Sequence, residues 1–150
     1  MPDFIKTLIP FWLSGKSGFG LWAGNLPFGT SFKVEDMTHY GFEDSPEVKQ
    51  QIPFSGWFWP FHDEFAKTGA YRDFELLPNA KDIVEYLIKR NYELFILTSR
   101  DPDLGNLEQD TKISLQRHFG DYFSDKIYFK PKGVTKAEIC RGFGFRVLIE

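Results

Sequence analysis

The chain has 150 residues, which favours a single domain with one sizeable hydrophobic core. Its formal net charge of -3 gives no reason to expect nucleic acid or an anionic membrane as a partner. The single cysteine, Cys140, cannot form an internal disulfide, and no apolar run approaches the roughly 20 residues of a membrane span, so a cytoplasmic protein is expected.

Residues 1–75 are rich in aromatic residues and glycine, and their hydrophobic periodicity is weak. A helix broken near Pro10 is predicted over residues 3–13, and the glycine content predicts a long loop over residues 14–31. Three short helices are predicted after this loop, at residues 34–40, 45–51 and 62–67. This part of the chain is therefore predicted to be a helical N-terminal unit.

Residues 76–150 alternate between helical and strand patterns. Helices are predicted at residues 80–90, 106–119 and 135–142, and a capping box of Thr135 and Glu138 opens the last of them. Strands are predicted at residues 94–98, 126–129 and 145–150. This alternation predicts an α/β fold with a parallel sheet, because helical crossovers join parallel strands.

The strand predicted at residues 94–98 ends in two hydroxyls and a cation, supplied by Thr98, Ser99 and Arg100. Strand ends of this kind are where open α/β sheets place their chemistry, and hydroxyl and guanidinium donors suit a phosphate. The alternative is a strand end followed by an ordinary polar turn. The sequence thus provides a candidate phosphate site at this strand end.

Lys136 lies in the first turn of the helix that the capping box opens, where a cation opposes the helix dipole. A bound phosphate would reverse the sign of that interaction. Lys130 and Lys132 lie in the preceding loop and are alternatives for the same role. A solvated surface lysine without any such role is the simplest alternative.

Other polar and aromatic residues give weaker indications. The three histidines are far apart and show no metal-ligand spacing. Asp101, Asp103 and Asp110 follow the strand, and a polar loop is the simplest explanation for them. The aromatic run at residues 57–61 is typical of a core or an interface, with a ligand platform as the alternative.

Four segments and their spacing carry a resemblance to a known family. They are Leu76-Leu77-Pro78-Asn79-Ala80, Phe95-Ile96-Leu97-Thr98-Ser99-Arg100, Lys136-Ala137-Glu138-Ile139-Cys140 and Arg146-Val147-Leu148-Ile149-Glu150. In this order they resemble the haloacid dehalogenase (HAD) superfamily of phosphatases, and more narrowly its 5'(3')-deoxyribonucleotidase branch. Residues 34–42 resemble the small helical cap of that branch. The resemblance implies a Rossmann-like HAD core over residues 76–150, with a helical cap and N-terminal segment over residues 1–75.

The resemblance implies phosphomonoester hydrolysis through an aspartyl-phosphate, assisted by Mg²⁺. Thr98 matches the family hydroxyl that binds phosphoryl oxygens, and Lys136 best matches the lysine that neutralises phosphoryl charge, with Lys132 as the alternative. Ser99 and Arg100 would add contacts to the phosphate. The expected substrate is a nucleoside monophosphate, with a non-nucleotide phosphomonoester as the alternative. Three aromatic rings are candidates for stacking on a base, with the core as their alternative: Trp57, Phe58 and Tyr71.

The chain departs from the family pattern at both ends. The nucleophile motif Asp-x-Asp-Gly is absent, and two residues after Asp3 the chain has Ile5 rather than a second aspartate. The last strand stops at Glu150, before the family's metal-binding aspartates. The HAD core is therefore expected to be incomplete and to lack its central first strand and its Mg²⁺ site. These departures predict a fragment that is inactive by itself and has low stability.

Two other functional classes are alternatives. A non-catalytic relative of the family would bind nucleotides or a partner protein through the aromatic cap. A carbohydrate- or nucleic-acid-binding module built on Trp57 and Trp59 is the third interpretation. The acidic balance of the chain and the phosphate-suited strand end both disfavour that module.

Overall fold

The computed structural model describes residues 7–8, 36, 42–76 and 78–148, which form a mixed α/β fold. Its strands are β1 (Thr7–Leu8), β2 (Leu94–Thr98), β3 (Ile127–Phe129) and β4 (Val147–Leu148). Its α-helices are α1 (Pro46–Gln51), α2 (Phe58–Lys67), α3 (Ala80–Lys89), α4 (Leu107–Phe119) and α5 (Lys136–Phe143). Short 3-10 turns lie at Phe42–Asp44, Ala70–Asp73 and Gly120–Phe123. The loop predicted at residues 14–31, and all but residue 36 of the helix predicted at residues 34–40, lie outside the described residues.

The strands form one sheet in the order β3-β2-β1-β4. Each neighbouring pair is parallel: Ile96 lies opposite Ile127, and Thr7 lies between Leu94 and Val147. The parallel sheet that the sequence predicts is therefore confirmed. Because all the strands run in the same direction, their carboxyl ends lie at one edge of the sheet.

β1 corrects two predictions about the start of the chain. The sequence predicts a helix over residues 3–13, of which only residues 7 and 8 are described, and a sheet without its central first strand. Thr7 and Leu8 instead form a strand paired on both sides. The apolar residues at positions 4, 5, 8 and 9 fit a helical period, but so short a segment cannot distinguish a helix from a buried strand. The backbone groups of β2 and β4 offer hydrogen bonds to an extended segment between them, and these bonds favour the strand.

The helix and strand that precede the candidate site form as predicted. α3 buries Val84, and Asn91 follows the helix with a φ of 62°. Asparagine tolerates this left-handed conformation better than most residues, which explains the sharp end of the helix. β2 begins three residues later and is buried along its whole length, as expected for an inner strand of a parallel sheet.

α5 begins with the capping box that the sequence predicts. The Glu138 N–H donates to Thr135 Oγ1 at 3.2 Å, and the Thr135 N–H donates to Glu138 Oε2 at 2.7 Å. These bonds satisfy N–H groups that a helix start leaves without intrahelical partners. The helix ends at Phe143, one residue beyond the predicted end, and Gly144 takes the left-handed conformation with a φ of 67°.

α2 begins at Phe58, earlier than the start predicted near His62. Pro60 does not prevent this, because a proline in the first turn lacks only an N–H that would have no intrahelical partner. The carboxylate of Glu43 accepts hydrogen bonds from the Gly56 N–H at 3.1 Å and the Phe58 N–H at 2.8 Å. A carboxylate at this end of a helix also interacts favourably with the helix dipole.

α4 joins two clusters of buried apolar side chains. Leu107, at the start of α4, packs with buried residues of the N-terminal helical unit: Val48, Ile52, Trp57, Phe65, Ala66, Tyr71 and Phe74. Leu115, about two turns later, packs with buried residues of the sheet and its neighbours: Val84, Leu94, Ile96 and Phe123. The described part of the helical unit thus rests on the same helix that covers the sheet. Among the described residues, no helix is long and apolar enough to cross a membrane.

Candidate functional site

Thr98 lies at the carboxyl edge of the sheet as the last residue of β2. Its carbonyl oxygen accepts a hydrogen bond from the Lys130 N–H at 2.7 Å. This bond joins the loop after β2 to the loop after β3, so polar side chains from both loops meet at this edge. Carboxyl edges of parallel sheets are where open α/β folds bind their ligands.

The Thr98 hydroxyl is almost buried, since only 7% of the residue is exposed. Its Oγ1 accepts a hydrogen bond from the Arg100 N–H at 3.2 Å. A hydroxyl that accepts in this way keeps its own proton, which it can donate to an oxygen of a bound anion. Ser99 lies next to it and is exposed.

The Arg100 side chain points into the protein, toward residues of the helical unit and α4. Its Cζ lies 4.5 Å from the centre of the Tyr71 ring, and its Nη1 donates to Thr111 Oγ1 at 2.8 Å. Burial lowers the pKa of Arg100 to about 10, so the guanidinium is still charged at neutral pH. The role of Arg100 as a direct phosphate ligand stays a prediction, and the contacts described here are with protein groups.

Tyr71 is held by a histidine as well as by Arg100. Its hydroxyl lies 2.7 Å from His62 Nε2, and His62 Nδ1 lies 3.2 Å from Asp63 Oδ1. Burial raises the pKa of Tyr71, although the charge of Arg100 acts in the opposite direction. A phenol with a raised pKa is protonated at neutral pH, so Tyr71 acts here as a neutral hydrogen-bonding group.

Asp110 lies on α4 and is buried, which corrects its interpretation as part of a polar loop. Its Oδ1 accepts a hydrogen bond from Arg72 Nε at 3.1 Å. Its place in the core could have been predicted from spacing, because the buried residues of α4 recur at helical intervals. They are Leu107, Asp110, Thr111, Ser114 and Leu115. No comparable signal in the sequence indicates the contact between His62 and Tyr71.

Lys132 forms an ion pair with Asp101, which lies in the loop after β2. Its Nζ lies 2.8 Å from Asp101 Oδ2, and Asp101 Oδ1 accepts a hydrogen bond from the Asp103 N–H at 3.1 Å. The hydrogen bond from Lys132 lowers the pKa of Asp101, and the same bond raises the pKa of Lys132. The ion pair with Asp101 therefore holds the exposed ammonium group of Lys132 beside the loop that follows β2.

The two other candidate lysines differ in their surroundings. Lys130 Nζ donates to the carbonyl oxygens of Val134 at 2.8 Å and Pro131 at 3.2 Å, so it braces its own loop. Lys136 is the first residue of α5 and is partly buried. Lys132 and Lys136 thus stay as the candidates for neutralising a phosphate, and Lys130 has a structural role.

The candidate base-stacking rings lie mostly in the core of the helical unit. Trp57 and Tyr71 are 7% and 6% exposed, and Arg100 covers one face of Tyr71. Phe58 is partly buried, and its ring centre lies 5.0 Å from that of Trp59. Trp59 itself is 64% exposed, so it is the ring of this cluster that is most open to solvent. Stacking of Trp57, Phe58 and Tyr71 on a base stays a prediction.

The described residues do not by themselves form a site for the Mg²⁺ that the family resemblance implies. Among them, no group of three or more histidine, cysteine, aspartate or glutamate side chains could hold a metal ion. Asp101 and Asp103 are neighbouring carboxylates at the strand edge, but Asp101 is paired with Lys132. Mg²⁺ prefers several oxygen ligands in octahedral geometry, which this pair does not supply.

No protein-family model matches the chain, and neither a curated protein nor a solved structure matches it. The parallel sheet and its helices define the chain as a mixed α/β protein.

Proposed function

We propose that the chain is a phosphoryl-binding protein of the HAD phosphatase type, related to phosphomonoester hydrolases that act on nucleoside monophosphates. The observation that carries this proposal is the sheet order, with β1 central between β2 and β4. A central first strand between these two is also the arrangement of the HAD core, to which the sequence shows its resemblance. The resemblance matches Thr98 to the family hydroxyl that binds phosphoryl oxygens, and its position at the end of β2 supports this match.

The chemistry of the strand edge supports a bound phosphoryl group. Thr98 can donate its hydroxyl proton, and Lys136 supplies positive charge from α5. Lys132 adds an exposed ammonium group, whose charge is shared with its ion-pair partner Asp101. The N-terminus of α5 carries the positive end of a helix dipole, which the Glu138 carboxylate of the capping box already offsets in part.

The residues after β1 favour binding without turnover by this chain. Ile9 and Pro10 follow Leu8, and the next acidic residue is Glu35. The family reaction needs an aspartate directly after the first strand, where it attacks phosphorus. The second candidate function is therefore a non-catalytic member of this class that binds a nucleoside monophosphate. In both cases we expect the 150-residue chain to bind phosphate and to release none from a phosphomonoester.

The proposal is tested by titrating the chain with inorganic phosphate and with a nucleoside monophosphate, using calorimetry or NMR. Thr98→Val keeps the shape of the side chain and removes the hydroxyl. It should weaken phosphate binding roughly tenfold, as expected for a hydrogen bond to a charged group. Thr68→Val is the matched control, since the Thr68 hydroxyl donates to the Phe65 carbonyl at the end of α2.

Two results would contradict the proposal. Equal phosphate affinity in the wild type, Thr98→Val and Thr68→Val would exclude the strand edge as the binding site. Release of phosphate from a nucleoside monophosphate with added Mg²⁺ would contradict both candidates, because each expects this chain to bind phosphate without turnover.

A further inference from the structure

Arg100 is directed away from the strand edge at which its sequence position places it. Its guanidinium lies over the Tyr71 ring and donates to Thr111 Oγ1, so one side chain links the 3-10 turn Ala70–Asp73, the loop after β2 and α4. A guanidinium stacked on an aromatic face and hydrogen-bonded in its plane is held more firmly than by either contact alone.

The groups that hold Arg100 are themselves fixed. Thr111 Oγ1 donates to the Leu107 carbonyl at 2.7 Å, and Thr111 is fully buried. The Tyr71 hydroxyl lies within hydrogen-bond distance of His62. The carboxylate of Asp110 attracts Arg100 electrostatically from the same face of α4. The guanidinium is therefore held by groups that are themselves fixed, and Asp110 offsets part of the cost of its burial.

The backbone of Arg100 is bonded to the candidate phosphate ligand. Its N–H donates to Thr98 Oγ1 at 3.2 Å, which occupies one lone pair of the hydroxyl and restricts where the hydroxyl proton can point. A side chain that anchors the backbone of residue 100 therefore also fixes the rotation of the Thr98 hydroxyl.

We propose that Arg100 is a positioning residue that orients the Thr98 hydroxyl by anchoring the loop after β2 to Tyr71 and Thr111. The part of this inference that concerns a ligand rests on the proposed phosphate binding at Thr98. The anchoring itself is a property of the ligand-free chain. A direct ligand to phosphate, by contrast, would act independently of Thr98.

The first experiment needs no ligand. Amide hydrogen exchange of residue 100 is measured by NMR in the wild type, Arg100→Met and Thr111→Val. At this amide both variants should exchange at least about fivefold faster than the wild type. Without the contact between Arg100 and Thr111, the hydrogen bond from the Arg100 N–H to Thr98 Oγ1 should open more often. Arg90→Met is the matched control, since Arg90 also lies over a tyrosine ring, that of Tyr86, on an exposed helix surface. Unchanged exchange at residue 100 in Thr111→Val and in a folded Arg100→Met would overturn the inference.

The second experiment measures inorganic phosphate affinity in a double-mutant cycle of Arg100→Met and Thr98→Val. If Arg100 acts through Thr98, Arg100→Met weakens binding roughly fivefold in the wild-type background and less than about twofold in the Thr98→Val background. Additive effects would overturn the inference, because they indicate a direct contact or a general effect on the fold. A wild type that binds no phosphate would instead refute the proposed function, and amide exchange would still decide whether Arg100 orients Thr98.

Discussion

At the scale of single residues, Asp110 is the charged side chain most removed from solvent among the described residues, with 1% exposed. Its Oδ1 is bonded to the half-exposed Arg72, while its Oδ2 has no hydrogen-bond partner. A buried carboxylate is tolerated only when cations compensate its charge. Arg72 compensates the charge of Asp110 through a direct hydrogen bond, and Arg100 does so as a nearby cation. The buried carboxylate therefore interacts with two arginines at once.

Asp110→Asn should therefore destabilise the chain, since it leaves the partly buried Arg100 guanidinium without its nearby negative charge. We expect a loss of about 1–3 kcal/mol in the free energy of unfolding, measured by urea denaturation. Asp125→Asn is the control, because Asp125 is exposed, and it should change stability by less than about 0.5 kcal/mol. Similar losses in the two variants would show that the charge cluster around Asp110 adds nothing specific.

The same residues show how far the candidate site follows from sequence. The position of Thr98 at the end of a strand is predicted from the local pattern and is confirmed, because the signal lies in the neighbouring residues. The direction of the Arg100 side chain depends on Tyr71 and Thr111, which precede and follow it by many residues. A local sequence pattern carries no information on such a contact. The sequence therefore predicts the Thr98 hydroxyl and the Arg100 guanidinium at the same phosphate site.

At the scale of secondary-structure elements, α5 has a start whose stability depends on pH. Hydrogen bonds from Thr135 lower the pKa of Glu138 below the ordinary value of a glutamate side chain. A carboxylate with a lowered folded-state pKa contributes stability above its unfolded-state pKa and loses this contribution as pH falls through the folded-state pKa. Thr135→Ala should lower Tm by about 2–4 °C at pH 7, and this difference from wild type should shrink as pH falls through the lowered folded-state pKa of Glu138.

Thermal melts at pH 7 and at a pH low enough to protonate Glu138 in the folded state measure this effect. Glu138→Gln is the informative control, because glutamine can complete the capping box but cannot titrate. It should retain most of the stability at pH 7 and lose the pH dependence that belongs to the cap. A Thr135→Ala difference that is equally large at both pH values would show that Glu138 has no part in it.

Elements differ in how well the sequence predicts them, and the reason is physical. α3, β2 and the start of α5 are determined by periodicity and capping residues within their own segments, and all three are confirmed. β1 has only two residues, and its conformation is set by strands that come some 85 and 140 residues later, as the register with Leu94 and Val147 shows. Long-range pairing of this kind leaves little trace in a short apolar segment.

At the scale of the whole molecule, β1 changes the expectation for stability. The sequence predicts low stability because β2 and β4 would lack the strand between them. The structure instead places Thr7 and Leu8 in ladder positions on both sides, so the two strands belong to one continuous sheet. The physical reason for the predicted weakness is thereby removed, although the stability of the chain itself stays a prediction.

The sheet gives a direct test of this arrangement through its central strand. Leu8→Pro removes a backbone N–H and fixes φ in a strand that pairs on both sides, where proline is poorly tolerated. We expect a loss of about 3 kcal/mol or more in the free energy of unfolding, measured by urea denaturation followed by circular dichroism. Leu8→Val keeps the N–H and should cost less than about 1.5 kcal/mol. If both variants unfold at the same urea concentration as the wild type, residues 7 and 8 do not hold β2 and β4 together, and the sheet order loses its support for the HAD arrangement.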